Sequence, residues 1–121
     1  MEENAARTPS LHLSTHVDRP ADEVYAYVVD PAHLPEWAAG LTPEVEVRFA
    51  PANPYGVADH DVTLPDGTVL SVPMRVLADG DGSEVVFTLR RAPGTDDEAF
   101  EADAAAVRAD LATLRERLEA R

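Results

Sequence analysis

His60 is the residue of this 121-residue chain whose type and position most directly suggest chemistry. It shares one face of a predicted strand with Ala58 and Val62, because alternate strand residues point the same way. An imidazole on this apolar face could orient a ligand carbonyl or hydroxyl, or act as an acid or base with a pKa that burial lowers. A structural histidine satisfied by a backbone carbonyl or a carboxylate would occupy the same position. His60 is therefore a candidate catalytic or ligand-binding residue with a structural alternative.

Four further side chains are candidates for lining a ligand pocket. Trp37, Tyr55 and Phe87 offer planar surfaces for stacking and apolar burial, and Met74 lies on the apolar face of a predicted strand. Trp37 is favoured because its short helix is predicted at the open end of the fold. The same side chains could simply form the core. The predicted ligand-binding set is Trp37, Tyr55, His60, Met74 and Phe87.

The sequence contains no residue pattern that is typical of a metal site or of a catalytic nucleophile. Asp59, His60 and Asp61 are consecutive strand residues, so their side chains alternate between faces and do not converge on one ion. His12 and His16 would lie about 13 Å apart along a strand, too far for shared ligation. The chain has no cysteine, no phosphate-binding glycine loop and no nucleophile elbow. We therefore predict no metal site and no cofactor.

Length, composition and net charge limit the number of domains that the chain can form and the classes of partner that it can bind. With 45% hydrophobic and 27% charged residues, the chain has ordinary globular composition and the length of one domain. We predict a flexible tail over residues 1–10 and a single domain over residues 11–121. The net charge of −13 repels phosphate backbones and anionic lipids, which disfavours nucleic acid and membrane partners. No stretch approaches the ~18 apolar residues of a membrane helix, and no leader pattern is found. We predict a cytoplasmic protein.

Five strands and three helices are predicted to position these residues. Arg19-Pro20 and Asp30-Pro31 each mark the beginning of a short helix, because proline suits the first helical position. Period-two alternation of apolar residues predicts the strands. Pro73 cannot donate to a ladder, so its strand is expected to have an edge or a bulge there. The predicted strands cover residues 11–17, 45–49, 57–64, 68–76 and 85–89.

The last segment carries the strongest helical pattern. Thr95 and Glu98 form a predicted capping box. Six apolar residues then recur at spacings of four and three along one face, and the inner face of the sheet is the only apolar surface large enough to cover them. We predict that this helix lies across the sheet, with Leu111 and Leu114 fully buried. Asp110, beside the stripe, is predicted to meet the sheet rim or a partner subunit and not a substrate.

The order strand, two short helices, four meandering strands and long C-terminal helix resembles the START/SRPBCC superfamily, which includes pollen-allergen-like ligand carriers and polyketide cyclases. The resemblance spans about residues 10 to 120, and its most specific parts are the segments VDRPADEVY (17–25) and DPAHLPEW (30–37). It implies an α+β helix-grip fold, a curved antiparallel sheet (β-α-α-β-β-β-β-α) wrapped around the C-terminal helix. The usual domain has seven strands, so this chain resembles a short member with one hairpin deleted. A short sheet leaves an edge that a second copy could cover, which predicts a homodimer.

Three functions are compatible with this sequence. The helix-grip pattern favours binding or carriage of a hydrophobic small molecule in a cavity between the sheet and the C-terminal helix. The resemblance alone implies a polyketide aromatase/cyclase-like enzyme, in which His60 and Tyr55 would steer an aldol condensation and dehydration. A non-enzymatic protein-interaction module, with the cavity filled by side chains, is the third. The open volume of the cavity and the polar groups that line it discriminate between them.

Overall fold

Six strands and three helices form the described part of the chain, residues 9–41 and 44–121 of a computed structural model. This α+β order agrees with the predicted fold class. The first eight residues of the predicted tail lie outside the described residues, and its last residue, Ser10, begins the first strand. The strands are β1 (Ser10–Val17), β2 (Glu46–Phe49), β3 (His60–Thr63), β4 (Val69–Val72), β5 (Met74–Asp79) and β6 (Gly82–Arg90). The helices are α1 (Ala21–Val28), α2 (Leu34–Trp37), which follows a 3-10 turn at Pro31–His33, and α3 (Asp97–Glu119).

The strands form an antiparallel sheet in two halves, β1-β6-β5 and β2-β3-β4. The two halves are joined by an isolated bridge between Val57 and Arg75, which continues the register of β3 with β4. The predicted strand over residues 68–76 is therefore two strands, because Pro73 has no N–H for the ladder and the chain changes neighbours there. The predicted meander that ends beside the first strand is confirmed by the pairing of β1 with β6.

The helix ends follow local capping chemistry, with one correction to the prediction. The side chain of Asp30 accepts a hydrogen bond from the Ala32 amide at 3.0 Å, which starts the turn that leads into α2. The N-cap of α3 is Asp96 and not Thr95, since the Asp96 carboxylate accepts the Ala99 amide at 2.8 Å. Thr95 instead belongs to the preceding turn, where its own amide donates to the Ala92 carbonyl.

The densest part of the core lies between α1, α3 and the first half of the sheet. Leu114 and Leu118 have no exposed surface and Leu111 is 2% exposed, which confirms that the apolar stripe of α3 is covered. Within the three described strands β2, β3 and β4, by contrast, every inward-facing residue is only half-buried. Space for a site therefore exists under the second half.

Hydrogen bonds join the segment after β1 to the C-terminal end of α3. The Asp18 amide, just after β1, donates to the Glu119 carboxylate at 2.8 Å. The Arg19 guanidinium donates to the carbonyls of Glu119 and Arg121 at 2.9 and 2.8 Å. These bonds satisfy carbonyl oxygens that the end of α3 leaves without helical partners. We call these bonds of Asp18 and Arg19 the clamp, because they hold the end of α3 beside β1.

No helix among the described residues is both long enough and apolar enough to cross a lipid bilayer, since α3 has the length but carries many charges. The homodimer and the cytoplasmic location stay predictions.

Candidate functional site

A largely enclosed cavity of about 160 Å³ lies between the second half of the sheet, α2 and α3. Most of its wall is apolar and includes Trp37, Phe49, Val62, Phe87, Val107 and Leu111. Two titratable side chains, His60 and Asp110, also line it. Its volume is close to that of a roughly 150 Å³ apolar cavity that binds benzene, and below the roughly 300–1,000 Å³ of sites for drug-sized ligands. The cavity therefore fits one small ring.

His60 lies on the cavity side of β3, as strand parity predicts. Its ring centroid is 5.1 Å from that of Phe49 and 6.1 Å from that of Phe87. Its Nδ1 is 3.0 Å from the carbonyl oxygen of Ala58, so Nδ1 carries the proton and Nε2 is the acceptor of the neutral ring. Burial lowers the pKa of His60 below 6.5, against the opposing effects of that carbonyl and of flanking carboxylates. The imidazole is thus neutral at physiological pH.

The break at Pro73 explains why His60 bonds to the backbone. Beside the break, the Met74 amide donates to the Asp59 carboxylate at 2.8 Å, where an unbroken ladder would offer the carbonyl of Ala58. The Arg75 guanidinium bonds to the same carboxylate oxygen. The Ala58 carbonyl is left for His60. The structural interpretation of His60 therefore holds for its Nδ1.

Trp37 has a buried hydrogen-bond donor without a partner among the described residues. The residue is 4% exposed, it lines the cavity, and its Nε1 has no hydrogen-bond partner in the part of the chain that the structure describes. A buried donor without an acceptor costs about 1–3 kcal/mol, so such groups are rare unless a ligand or water completes them. Less than 1 Å² of this nitrogen is accessible, so the N–H is packed among protein atoms and the cavity wall meets other atoms of the indole.

Asp110 is the site residue that the sequence reasoning missed. It was assigned to the sheet rim or a partner, but it is half-buried and lines the cavity beside Leu111. Burial raises the pKa of its carboxyl above the ordinary 3.8, although a hydrogen bond from the Ala39 amide acts in the opposite direction. Its position one residue before Leu111 in the apolar stripe was the available signal, because a carboxylate there must lie near the covered face.

Two of the predicted ligand-binding residues lie away from the cavity. Tyr55 is 79% exposed, because the Asn53 side chain accepts the Tyr55 amide at 3.0 Å and holds a turn that directs the tyrosine outward. It borders a separate outer groove beside α1. Met74 has no exposed surface and belongs to the core of the first half, since the chain has crossed the break at Pro73. The structure brings together Trp37, His60 and Phe87 from the predicted set.

An outer groove of about 480 Å³ lies at the break in the sheet. Phe49, His60 and Val72 line both this groove and the inner cavity, so their side chains lie between the cavity and solvent. Arg48 and Arg90 lie on the outer side only. On this face, these three residues separate the cavity from the outer groove.

The described residues contain no group of three or more histidine, aspartate or glutamate side chains arranged to hold a metal ion. His12 bonds to the Thr88 hydroxyl at 3.0 Å on the outer face of the first half. His16 lies near the carboxylates of Asp79 and Glu84, at 3.8 and 3.9 Å, and is exposed. Both histidines are surface residues far along the chain from His60.

Comparison with known proteins identifies the fold. No protein-family model and no curated protein sequence matches the chain, whereas solved structures do. CalU16 from Micromonospora echinospora is 16% identical, with a TM-score of 0.70 over 95% of this chain and 77% of that one. DynU16, from the dynemicin biosynthetic locus, is 16% identical, with a TM-score of 0.71 over 91% of this chain and 47% of that one. A START superfamily protein from Mycobacterium smegmatis is 13% identical, with a TM-score of 0.63 over 94% and 99%. The chain therefore shares its fold with these structures, and the predicted α+β helix-grip fold is confirmed.

Proposed function

We propose that this protein binds a small, largely apolar molecule in the cavity between β2-β3-β4 and α3. The observation that carries the proposal is the largely enclosed apolar space of about 160 Å³ beneath an otherwise well-packed fold. Protein interiors leave few voids larger than a water molecule, so a space of this size has a high cost unless it is used. A ligand in the cavity restores the missing contacts and removes its own apolar surface from water, at roughly 25 cal/mol per Å².

A polyketide aromatase/cyclase-like enzyme is the second candidate. His60 and Asp110 favour it, because two titratable groups in one cavity can act as acid and base. The volume argues against it, since a space for one ring does not enclose a chain that folds into several rings. The third alternative, an interaction module with a filled cavity, is opposed by the same open space.

The experiment is a titration with benzene and toluene, followed by the emission of Trp37, the only tryptophan of the chain. Saturable changes in emission are expected, together with a rise in Tm as the folded state gains a ligand. Val62→Phe fills the cavity from β3 and should abolish both effects. Val69→Phe, on an outward position of β4 that is 54% exposed, is the matched control and should leave binding unchanged.

A second variant guards against misfolding of the filled cavity. Leu111→Ala enlarges the cavity from α3 and should extend binding to naphthalene. Wild-type protein that shows no saturable response to either hydrocarbon, or equal binding by Val62→Phe, would contradict the proposed function.

A further inference from the structure

We infer that two copies of this chain associate through β2, with their β2 strands paired antiparallel about a two-fold axis at Val47. The inference goes beyond the proposed function and does not depend on a ligand. It specifies the edge and the register of the dimer that a short sheet predicts. A second copy is the occupant because the charges on this strand complement each other under two-fold symmetry.

The backbone of β2 has an open side. Among the described residues, β3 is the only strand that pairs with β2. The Ala50 amide, just after β2, donates to the Asp59 carbonyl at 2.8 Å in the same register. Because hydrogen-bonded residues alternate along an antiparallel strand, the backbone N–H and C=O groups of Val47 and Phe49 point away from β3. A second strand can bond to these groups and leave the pairing with β3 intact.

The charged side chains of β2 complement each other in one register. Glu46 and Arg48 are exposed, and neither forms an ion pair with another residue that the structure describes. With the two-fold axis at Val47, Glu46 of each copy lies opposite Arg48 of the other. These residues form the closer kind of antiparallel pair, with about 4.5 Å between Cα atoms. Two pairs of opposite charge therefore form, one on each side of the axis.

Other registers lose this complementarity. A shift of the partner by one residue would oppose outward backbone groups to inward ones, so shifts of two residues are the nearest alternatives. Such a shift places Glu46 opposite Glu46 of the second copy, or Arg48 opposite Arg48, and like charges directly opposite destabilise a strand pair. The register about Val47 also sets Val45 against Phe49 of the other copy, and both are half-buried on the inner face.

The net charge of the chain sets the conditions for this association. Each copy carries a net charge of −13, so two copies repel each other at low ionic strength. At roughly 0.15 M salt the Debye length is about 8 Å, so repulsion between distant charges is largely screened. The four residues of β2 from each copy make a small interface, and small interfaces are weak. We therefore expect a dimer of micromolar affinity at physiological salt.

The experiment is sedimentation equilibrium of the whole chain over a series of micromolar concentrations at physiological salt. Glu46→Arg and Arg48→Glu each place like charges opposite each other and should raise the Kd of the dimer about tenfold or more. Glu46→Arg also reduces the net negative charge, so weaker association of this variant cannot come from general repulsion. Glu101→Arg on α3 and Arg90→Glu at the end of β6 make the same changes of net charge at exposed positions away from β2. These two controls should leave the Kd nearly unchanged.

The two edge variants also complement each other. Mixed in equal amounts, the Glu46→Arg and Arg48→Glu chains should form a heterodimer, because the arginines of one copy then lie opposite the glutamates of the other. A chain with both substitutions should dimerise like the wild type.

Two results would overturn the proposal. A wild type that stays monomeric at every concentration would do so, and would leave the edge open to an extended segment of another protein. A wild-type dimer whose Kd is unchanged in both single variants, or a mixture of the two variants without a heterodimer, would show that the copies do not associate through β2 in this register.

Discussion

The two halves of the sheet differ in how completely the helices cover them. In the first half, Val85 and Met74 have no exposed surface and Val17 has 2%. In the second half, the inward-facing residues of β2, β3 and β4 are only half-buried, and several border the cavity. One helix, α3, extends over both halves. The fold thus concentrates its packing in one half and leaves a cavity beside the other.

Under the proposed function, this difference separates stability from binding within one small sheet. A cavity weakens the structure around it, because its lining lacks contacts on one side. The first half provides the contacts that the second half lacks. Substitutions in the first half should therefore change stability, and substitutions in the second half should change binding.

The largest expected effect comes from Leu114→Ala in the fully packed region. It should lower the free energy of unfolding by about 2–5 kcal/mol, because a buried leucine is replaced by a cavity. Val62→Ala, at the wall of the existing cavity, should cost about 1 kcal/mol or less, since few contacts are lost there. Urea unfolding of both variants measures the contrast. Equal losses in the two variants would contradict the division into two halves.

The next prediction concerns Gly56, which precedes the Val57–Arg75 bridge between the two halves of the sheet. Gly56 has a φ of 72°, and a Cβ at this position would overlap the carbonyl oxygen of Val76. Gly56→Ala should therefore cost about 3 kcal/mol, from a strained backbone and a forced shift of β5. Gly67 also has a positive φ, of 90°, but open space around it, so Gly67→Ala should cost only about 1 kcal/mol. Thermal unfolding that ranks Gly67→Ala as the more damaging change would refute this account of Gly56.

A smaller loss of stability is expected when the Asp59 carboxylate, beside the break at Pro73, is removed. Asp59→Ala removes the acceptor of the Met74 amide and should cost about 1–3 kcal/mol. Asp59→Asn keeps an acceptor and should cost less. Arg75→Ala removes an ion pair whose partners are 42% and 40% exposed and should cost at most about 1 kcal/mol. If Arg75→Ala were as damaging as Asp59→Ala in urea unfolding, the ion pair and not the backbone bond would be the important contact.

The smallest expected effect is on the pH dependence of the free energy of unfolding, to which His60 and Asp110 should contribute with opposite signs. The pKa of His60 is lowered on folding, so the unfolded chain takes up its proton first as the pH falls below about 6.5. The free energy of unfolding therefore decreases with falling pH from about 6.5 down to the folded pKa, and His60→Gln should remove this decrease. The pKa of Asp110 is raised, so its charged form costs stability above the folded pKa, and that cost disappears as the pH falls.

Asp110→Asn should consequently be more stable than the wild type at pH 7, with a difference that vanishes below about pH 4. Urea unfolding at a series of pH values measures both slopes. A wild type that matched His60→Gln at every pH would show that the imidazole is freely exposed.

Much of the fold follows from periodicity in the sequence. Alternation placed β1, β2, β3 and β6, and the four-three spacing placed α3 with Leu111 and Leu114 covered. The division at Pro73 was expected only as an edge or bulge, because local sequence does not show which neighbour a strand pairs with on each side of a break. Sequence alone does not decide between Thr95 and Asp96 as the N-cap of α3, because both residue types cap helices. In the structure, the Thr95 amide belongs to a preceding turn with Ala92, which leaves Asp96 as the cap.

The site was predictable where one residue's direction is set by its own strand or helix. His60 and Phe87 follow strand parity, and Trp37 follows the signal of its short helix. The cavity position of Asp110 was not predicted because it depends on the segment after α2, where the Ala39 amide bonds to its carboxylate from a distant part of the sequence. Tyr55 was misplaced because the direction of a loop residue depends on hydrogen bonds such as the one from Asn53 and not on a period.

The pairing of β1 with β6 bears on how the chain folds during synthesis. β1 is separated from its partner β6 by residues 18–81, and the clamp of Arg19 requires the end of α3. Strands β3 to β6 contact their neighbours through short connections and can form first, whereas long-range pairing closes slowly. Until β6 and α3 are synthesised, β1 with Leu13 and Val17 lacks both its strand partner and the helix that packs across it. β1 is therefore completed only after the strands that follow it in the described chain have been synthesised.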